Sequence, residues 1–223
     1  MRARLTFSRF DLARINIDEF REDQGASGEV KLGDVQVDRL AFRLDLSNRS
    51  IRGFVQLFVD DMTLDLIRDD FKTVGGGGGV NGTPVLTRLS PQVSLILPFN
   101  AEANVAYGKE DVTSVGSEYN QAIADEQLTM LAFQVEGYAG IGLELFGFQP
   151  SVGLALDGRL GGYDYKATMI AQDDFEADGR FDGLNLGGYL GLNYKHREFP
   201  LFGETRFHFG NLSGFFLGLG VEF

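Results

Sequence analysis

The chain holds two histidines, His196 and His208. In the stretch FGETRFHFG, His208 shares an alternating face with Glu204 and Arg206. A histidine beside an acid is what general-base chemistry needs. The same three residues also suit a polar interior filled by its own side chains, and that reading is preferred. No residue is assigned as catalytic, and the protein is expected not to be an enzyme. His196 sits between Lys195 and Arg197, just before Pro200, and reads as a solvated turn residue.

The stretch DDFEADGRFDG places Asp174, Glu176, Asp178 and Asp182 at part of a calcium-loop spacing, with Gly179 for the sharp turn. The twelfth position from Asp174 is Asn185, where such a loop needs a bidentate Glu. The segment therefore reads as an acidic surface loop, and no metal or cofactor is expected. The run GGGGG at 75–79 lacks the Lys-Ser or Lys-Thr of a phosphate loop. It reads as a natural loop in preference to an engineered linker. The chain has no Cys, which removes disulfides and thiolate metal sites.

These residues must be positioned by strands. Apolar alternation is the dominant pattern. From Leu131 to Leu145 one face is almost wholly apolar, and the other carries Gln134, Glu136, Tyr138 and Glu144. The split recurs in SVGLALDGRLGG, GLNLGGYLGLNYK and FGETRFHFG, and earlier in SPQVSLILPF. Long acidic spacers near 20–29, 67–83, 109–127 and 171–183 alternate with short ones at 47–50, 98–102, 147–150 and 196–200. In an antiparallel meander such alternation gathers the long connections at one end. The first 70 residues are irregular. Leu5, Phe7, Phe10, Leu12, Ile15, Ile17 and Phe20 are spaced alternately by two and three, as are Val30, Leu32, Val35, Val37, Leu40 and Phe42. Bulges, a solenoid repeat and a strand buried on both faces all fit that spacing.

Composition limits partners and place. Over 223 residues the formal net charge is -12, so nucleic acid is excluded as a partner. No apolar run is long enough for a helical membrane span. The start MRARLTFSRF has no apolar signal core, as expected of a mature chain without its signal peptide.

The polar face decides between a soluble and a membrane barrel. It is rich in Gly and carries Glu136, Glu144, Asp157, Arg159, Glu204, Arg206 and His208. A cramped lumen has reason to use Gly beside Tyr and Arg, whereas a water-facing strand does not. Asp157 with Arg159, and Glu204 with Arg206, are expected to pair across strands inside. The terminal SGFFLGLGVEF alternates Phe215, Leu217, Leu219, Val221 and Phe223. It resembles the closing strand of the bacterial outer-membrane β-barrel superfamily. The resemblance implies that these five residues are an assembly signal for the outer-membrane assembly machinery. It also implies a bacterial outer-membrane location, with the lipid bilayer as a partner. Tyr107, Tyr163, Tyr165 and Tyr194 are expected to supply the interfacial aromatic girdles in the absence of Trp. The expectation is a single all-β domain over 1–223: an antiparallel up-and-down transmembrane β-barrel of about ten strands, with eight as the alternative. It would serve as a structural protein or dock another envelope protein, its lumen narrow or plugged. A narrow porin-like channel for small solutes is the alternative.

Overall fold

The computed structural model describes residues 1–12, 15–18, 30–32, 35–47, 50–64, 70–113, 123–169, 175–196 and 198–223. Its strands are β1 (Arg2–Leu12), β2 (Ile15–Asp18), β3 (Val30–Leu32), β4 (Val35–Asp45), β5 (Ile51–Thr63), β6 (Phe71–Gly82), β7 (Val85–Ser90), β8 (Val93–Ile96), β9 (Phe99–Asp111), β10 (Ile123–Leu145), β11 (Phe148–Met169), β12 (Phe175–Lys195), β13 (Leu201–Gly210) and β14 (Leu212–Glu222). Ten of these, β1, β4, β5, β6 and β9 to β14, pair antiparallel in ring order. β14 returns to β1, from Leu212 opposite Leu12 to Glu222 opposite Arg2. The ring is closed, as the alternation predicts, and closure pairs the backbone groups that an open sheet edge leaves free. The two termini meet, with the Phe223 amide donating to Met1 O at 2.8 Å.

Two extensions leave the ring. β2 continues β1 beyond the short β13–β14 hairpin and pairs directly with β12, Ile17 opposite Phe181. At the opposite end, β7 and β8 continue β6 and β9 past Pro84 and Pro98. β8 lies against β10 from Val93–Leu145 to Ile96–Gly142. Proline breaks each ladder because it has no N–H. Its carbonyl still serves: Pro84 O accepts from Leu97 N and Pro98 O from Gly140 N, both at 3.0 Å. The short connections and both termini share this end. The tightest is Phe146–Gly147, with φ of 52° and 92°, the two left-handed residues of a hairpin turn that matches strand twist.

Three expectations are corrected. GGGGG is neither loop nor linker. It is the middle of β6, paired on both sides with β5 and β9. The Phe58 ring lies across Gly75, where a Cβ would stand 2.3 Å from Phe58 Cζ. Glycine leaves room for that ring, which in turn covers the bare backbone. The turn expected at 98–102 lies instead at Pro91–Gln92. The acidic stretch at 171–183 is strand from Phe175 onward, and its first residues, Asp174 included, lie outside the described residues. So do 19–29 and 114–122, the cores of two other expected long connections.

The three-residue steps inside β1 (Phe7 to Phe10) and inside β4 (Val37 to Leu40) have a cause; those from Leu12 to Ile15, from Ile17 to Phe20 and from Leu32 to Val35 involve residues outside the described ones. β1 and β4 pair residue for residue without a register shift, so no bulge is involved. In the short-turn half of β1 the inward residues are Arg4, Thr6 and Ser8, and Leu5 faces out. Towards the long-connection end the inward residues become Phe10 and Leu12, and Arg9 and Asp11 face out. β4 does the same in reverse, with Val35 and Val37 buried inside and Leu40 and Phe42 exposed outside. Apolar residues change face midway, and the change adds one residue to the spacing. The barrel therefore has two zones. One is polar inside and apolar outside. The other has an ordinary buried core of Leu12, Val35, Val37, Met62, Phe71, Leu128, Met130 and Phe181, with charges outside.

The lumen as candidate functional site

In the short-turn zone every strand with an inward face delivers polar groups to the lumen. β4 contributes Arg39, Arg43 and Asp45. β5 contributes Gln56 and Asp60, and β9 Asn100, Glu102 and Asn104. Period two places residues i and i+2 on one side about 7 Å apart, so each strand builds a column of such groups. Arg39 grips Asp60 in a two-pronged pair, Nε to Oδ1 at 2.6 Å and Nη2 to Oδ2 at 2.8 Å, and also donates to Gln134 and Glu136. Arg43 donates to Asp45 Oδ1 and Asn100 Oδ1, both at 3.1 Å. Glu102 accepts from Gln56 at 2.8 Å and from Asn100 at 2.9 Å. Arg4 pairs with Glu204, which also accepts from the Tyr138 hydroxyl at 3.2 Å.

Aromatic faces hold the guanidinium groups flat. Arg43 lies 3.2 Å from the Phe54 ring centre and Arg39 4.0 Å from that of Phe58. Arg206 is held between Tyr138 at 4.1 Å and Phe216 at 4.0 Å. Stacking and paired carboxylates together offset the cost of burying these charges.

The residues singled out from sequence lie as follows. Glu136, Asp157, Arg159, Glu204 and Arg206 point into this network. Asp157 and Arg159 pair along their own strand at 3.0 Å, as Glu204 and Arg206 do at 3.5 Å. The expected cross-strand pairing gives way because a long Arg reaches its i–2 neighbour on the same face. Glu144 is half-buried at the short-turn end, opposite Ser94. The His208 ring stands edge-on to Phe10, 5.1 Å between centres. Neither of its nitrogens has a hydrogen-bond partner among the described residues. Glu176, Asp178 and Asp182 are exposed on the outer face of β12, and Glu176 takes Lys166 at 2.7 Å. An extended strand spreads them apart, so they do not form the loop that calcium spacing requires. Phe215 packs on Phe7, while Leu217, Leu219 and Phe223 are exposed outside. Among the four tyrosines, Tyr107 and Tyr194 face outward, but Tyr163 is buried in the core and Tyr165 packs against it. They lie at the height where the interior is apolar.

Sequence reasoning missed Arg4, Arg39, Arg43, Asp45, Asp60 and Glu102. A signal was present in Arg39, Ala41, Arg43 and Asp45, a run of alternate residues too polar for a core and interleaved with Leu40, Phe42 and Leu44.

Outside, the picture inverts. Leu57 and Leu154 are 70% and 74% exposed, and Leu131, Ile141, Leu186 and Leu219 share the same outer band. A closed ring with charge inside and bare leucine outside is stable in lipid and not in water. The architecture is that of a transmembrane β-barrel. No family model matches this barrel, nor does any curated protein. Solved structures similar to it include the translocator domain of the autotransporter NalP from Neisseria meningitidis. That match has 11% identity and TM-score 0.39, and covers 100% of this chain and 89% of that one. The outer-membrane protease OmpT from Escherichia coli matches at 8% identity and TM-score 0.34, over 100% and 97%. The P. putida toluene transporter TodX matches at 10% and 0.32, over 99% and 67%. Their differing activities carry nothing over to this barrel.

Among the described residues the lumen network lines two small cavities. One, about 60 Å³, lies towards the apolar zone, and the other, about 90 Å³, at the short-turn mouth. Each has room for a handful of waters. Arg43, Asn100, Tyr138 and Arg206 belong to the walls of both.

Proposed function

We propose that the protein is an integral outer-membrane barrel with a plugged lumen, non-enzymatic, and structural or partner-binding in the Gram-negative envelope. The assembly machinery would read its terminal Phe215–Phe223 strand. The short turns and both termini would face the periplasm, with the long connections outside. The plug reading rests on the wall that the two cavities share, built by Arg43, Asn100, Tyr138 and Arg206, in which Arg206 is clamped between Tyr138 and Phe216. The partner reading draws on β7. Its residues Val85–Ser90 are all exposed, and among the described residues only β8 pairs with it. A free strand edge is a template for another chain.

Planar-bilayer recording tests the plug. The wild-type barrel at high protein load is expected to give no unitary steps, whereas Arg206→Gly, which removes the clamped side chain, is expected to conduct. Steady wild-type steps would overturn the plug. They would favour the second reading, a narrow porin-like channel for small solutes, to which two cavities sharing four wall residues lend support.

A further inference from the structure

The two lumen cavities differ sharply in charge. Arg39, Arg43 and Arg206 balance Glu102, Glu136 and Asp157 around the inner one. The cavity at the short-turn mouth is lined by Arg2, Arg4, Arg43, Arg52, Lys195 and Arg206, with Glu204 the one carboxylate among the described residues of its wall. Carboxylates just behind the wall take up part of this charge. Asp45 lies 3.1 Å from Arg43, 3.4 Å from Arg4 and 4.0 Å from Arg52, Glu102 lies 3.7 Å from Arg43, and Glu222 pairs with Arg2 and Lys195 at 3.1 and 2.7 Å. Positive charge still remains in excess, inside a chain whose net charge is -12.

Donors are in excess as well. Arg43 and Arg4 are 6% and 7% exposed, yet Arg43 Nη2 and Arg4 Nε have no acceptor among the described residues. Arg206 Nε is likewise buried without a hydrogen bond. Buried donors without acceptors are costly. Asn81, Asn100, Gln149 and Asn193 add neutral polar groups to the wall, beside Phe99 and Phe202.

We propose that this mouth cavity is a binding site for a phosphate-type oxyanion entering from the short-turn side. Guanidinium groups arranged around a small polar space suit the several acceptor oxygens of phosphate better than a monatomic ion. The phosphate could be free in solution or carried by a glycerophospholipid headgroup; the chemistry at the site is the same. The site does not depend on whether the lumen conducts.

Isothermal titration of inorganic phosphate into the full chain, refolded in an uncharged detergent and phosphate-free buffer, tests it. Saturable binding is expected. Arg52→Gln at the mouth should weaken it about tenfold, as loss of one charge-assisted contact implies. Arg43→Gln should abolish it, and Lys166→Gln on the outer face should leave it unchanged. Heat-modifiable gel mobility shows that each variant is folded. Absence of binding to the folded wild type overturns the proposal. So does equal displacement by chloride at matched ionic strength, or an Arg52→Gln variant that binds as the wild type does. Competition by glycerophosphoglycerol, a phosphodiester like the headgroup, would assign the headgroup as the source, and its failure to compete would assign the free anion.

Discussion

At the scale of the residue, the lumen is held by charges that cannot be removed singly. Asp60 is fully buried, and Arg39 satisfies both its oxygens while also reaching Gln134 and Glu136. Arg39→Ala strands a buried carboxylate without a counter-ion, a change that costs roughly 3–5 kcal/mol. Pairing Arg39→Leu with Asp60→Leu leaves only the Glu136 carboxylate deprived of Arg39, so less is lost than in the single variant, because the desolvation cost of Asp60 leaves with it. Urea unfolding midpoints of the single and double variants from phospholipid vesicles check this. A single-variant loss below about 1 kcal/mol would mean that the pair behaves as a solvent-screened one. His208 is a different case. It shares the inward face of β13 with Glu204 and Arg206, but its ring lies against Phe10 and Tyr189, and a neighbour's aromatic ring leaves no trace in the local spacing around a histidine.

At the scale of the element, glycine marks where strands approach too closely for any side chain. At Gly77 an added Cβ would stand 2.2 Å from both Ala103 O and Asn104 Oδ1, whereas at Gly162 the nearest atom is Gly179 O at 3.5 Å. Gly77→Val is therefore expected to block assembly, seen as loss of the heat-modifiable band, while Gly162→Ala assembles normally. A Gly77→Val barrel that folds with wild-type yield would show that β6 can shift away from β9. The same contrast explains what the sequence disclosed. β10, β11, β12 and β14 were legible because Leu131 to Leu145, Val152 to Leu160, Leu184 to Tyr194 and Phe215 to Phe223 keep one face apolar, broken only by Gly137, Gly158 and Gly188. β6 was hidden because five glycines carry no pattern of their own; they are a strand only because β5 supplies Phe58 and β9 supplies its backbone. The turn at Pro91–Gln92 was misplaced for a related reason, since Pro98 interrupts a strand whose partner simply continues past it. The lumen charges of β4, β5 and β9 were obscured where the apolar residues change sides.

At the scale of the whole molecule, that change of sides marks where the bilayer ends. On β10 the outward apolar residues run from Leu131 to Leu143, about 40 Å along an extended strand at ~3.3 Å per residue. At the tilt of about 40° usual for such barrels this spans about 30 Å, the thickness of a hydrocarbon core. Beyond it the outer surface carries the pairs Arg9–Asp38 and Lys166–Glu176, and the interior becomes the apolar core around Phe71 and Val37. The upper zone is thus built as a water-soluble barrel is, stacked in one closed ring on a membrane barrel. Because the chain contains no Trp, a single introduced Trp reports its surroundings without background. Leu57→Trp and Leu154→Trp should be strongly quenched by brominated phospholipid in reconstituted vesicles, and Lys72→Trp and Lys166→Trp should not. Lys72 lies opposite Asp61, only four residues along β5 from Leu57, so the boundary must fall within about 13 Å along that strand. Equal quenching of Leu57→Trp and Lys72→Trp would place both residues in lipid, and the charged exterior and apolar interior of the upper zone would then lack their physical explanation.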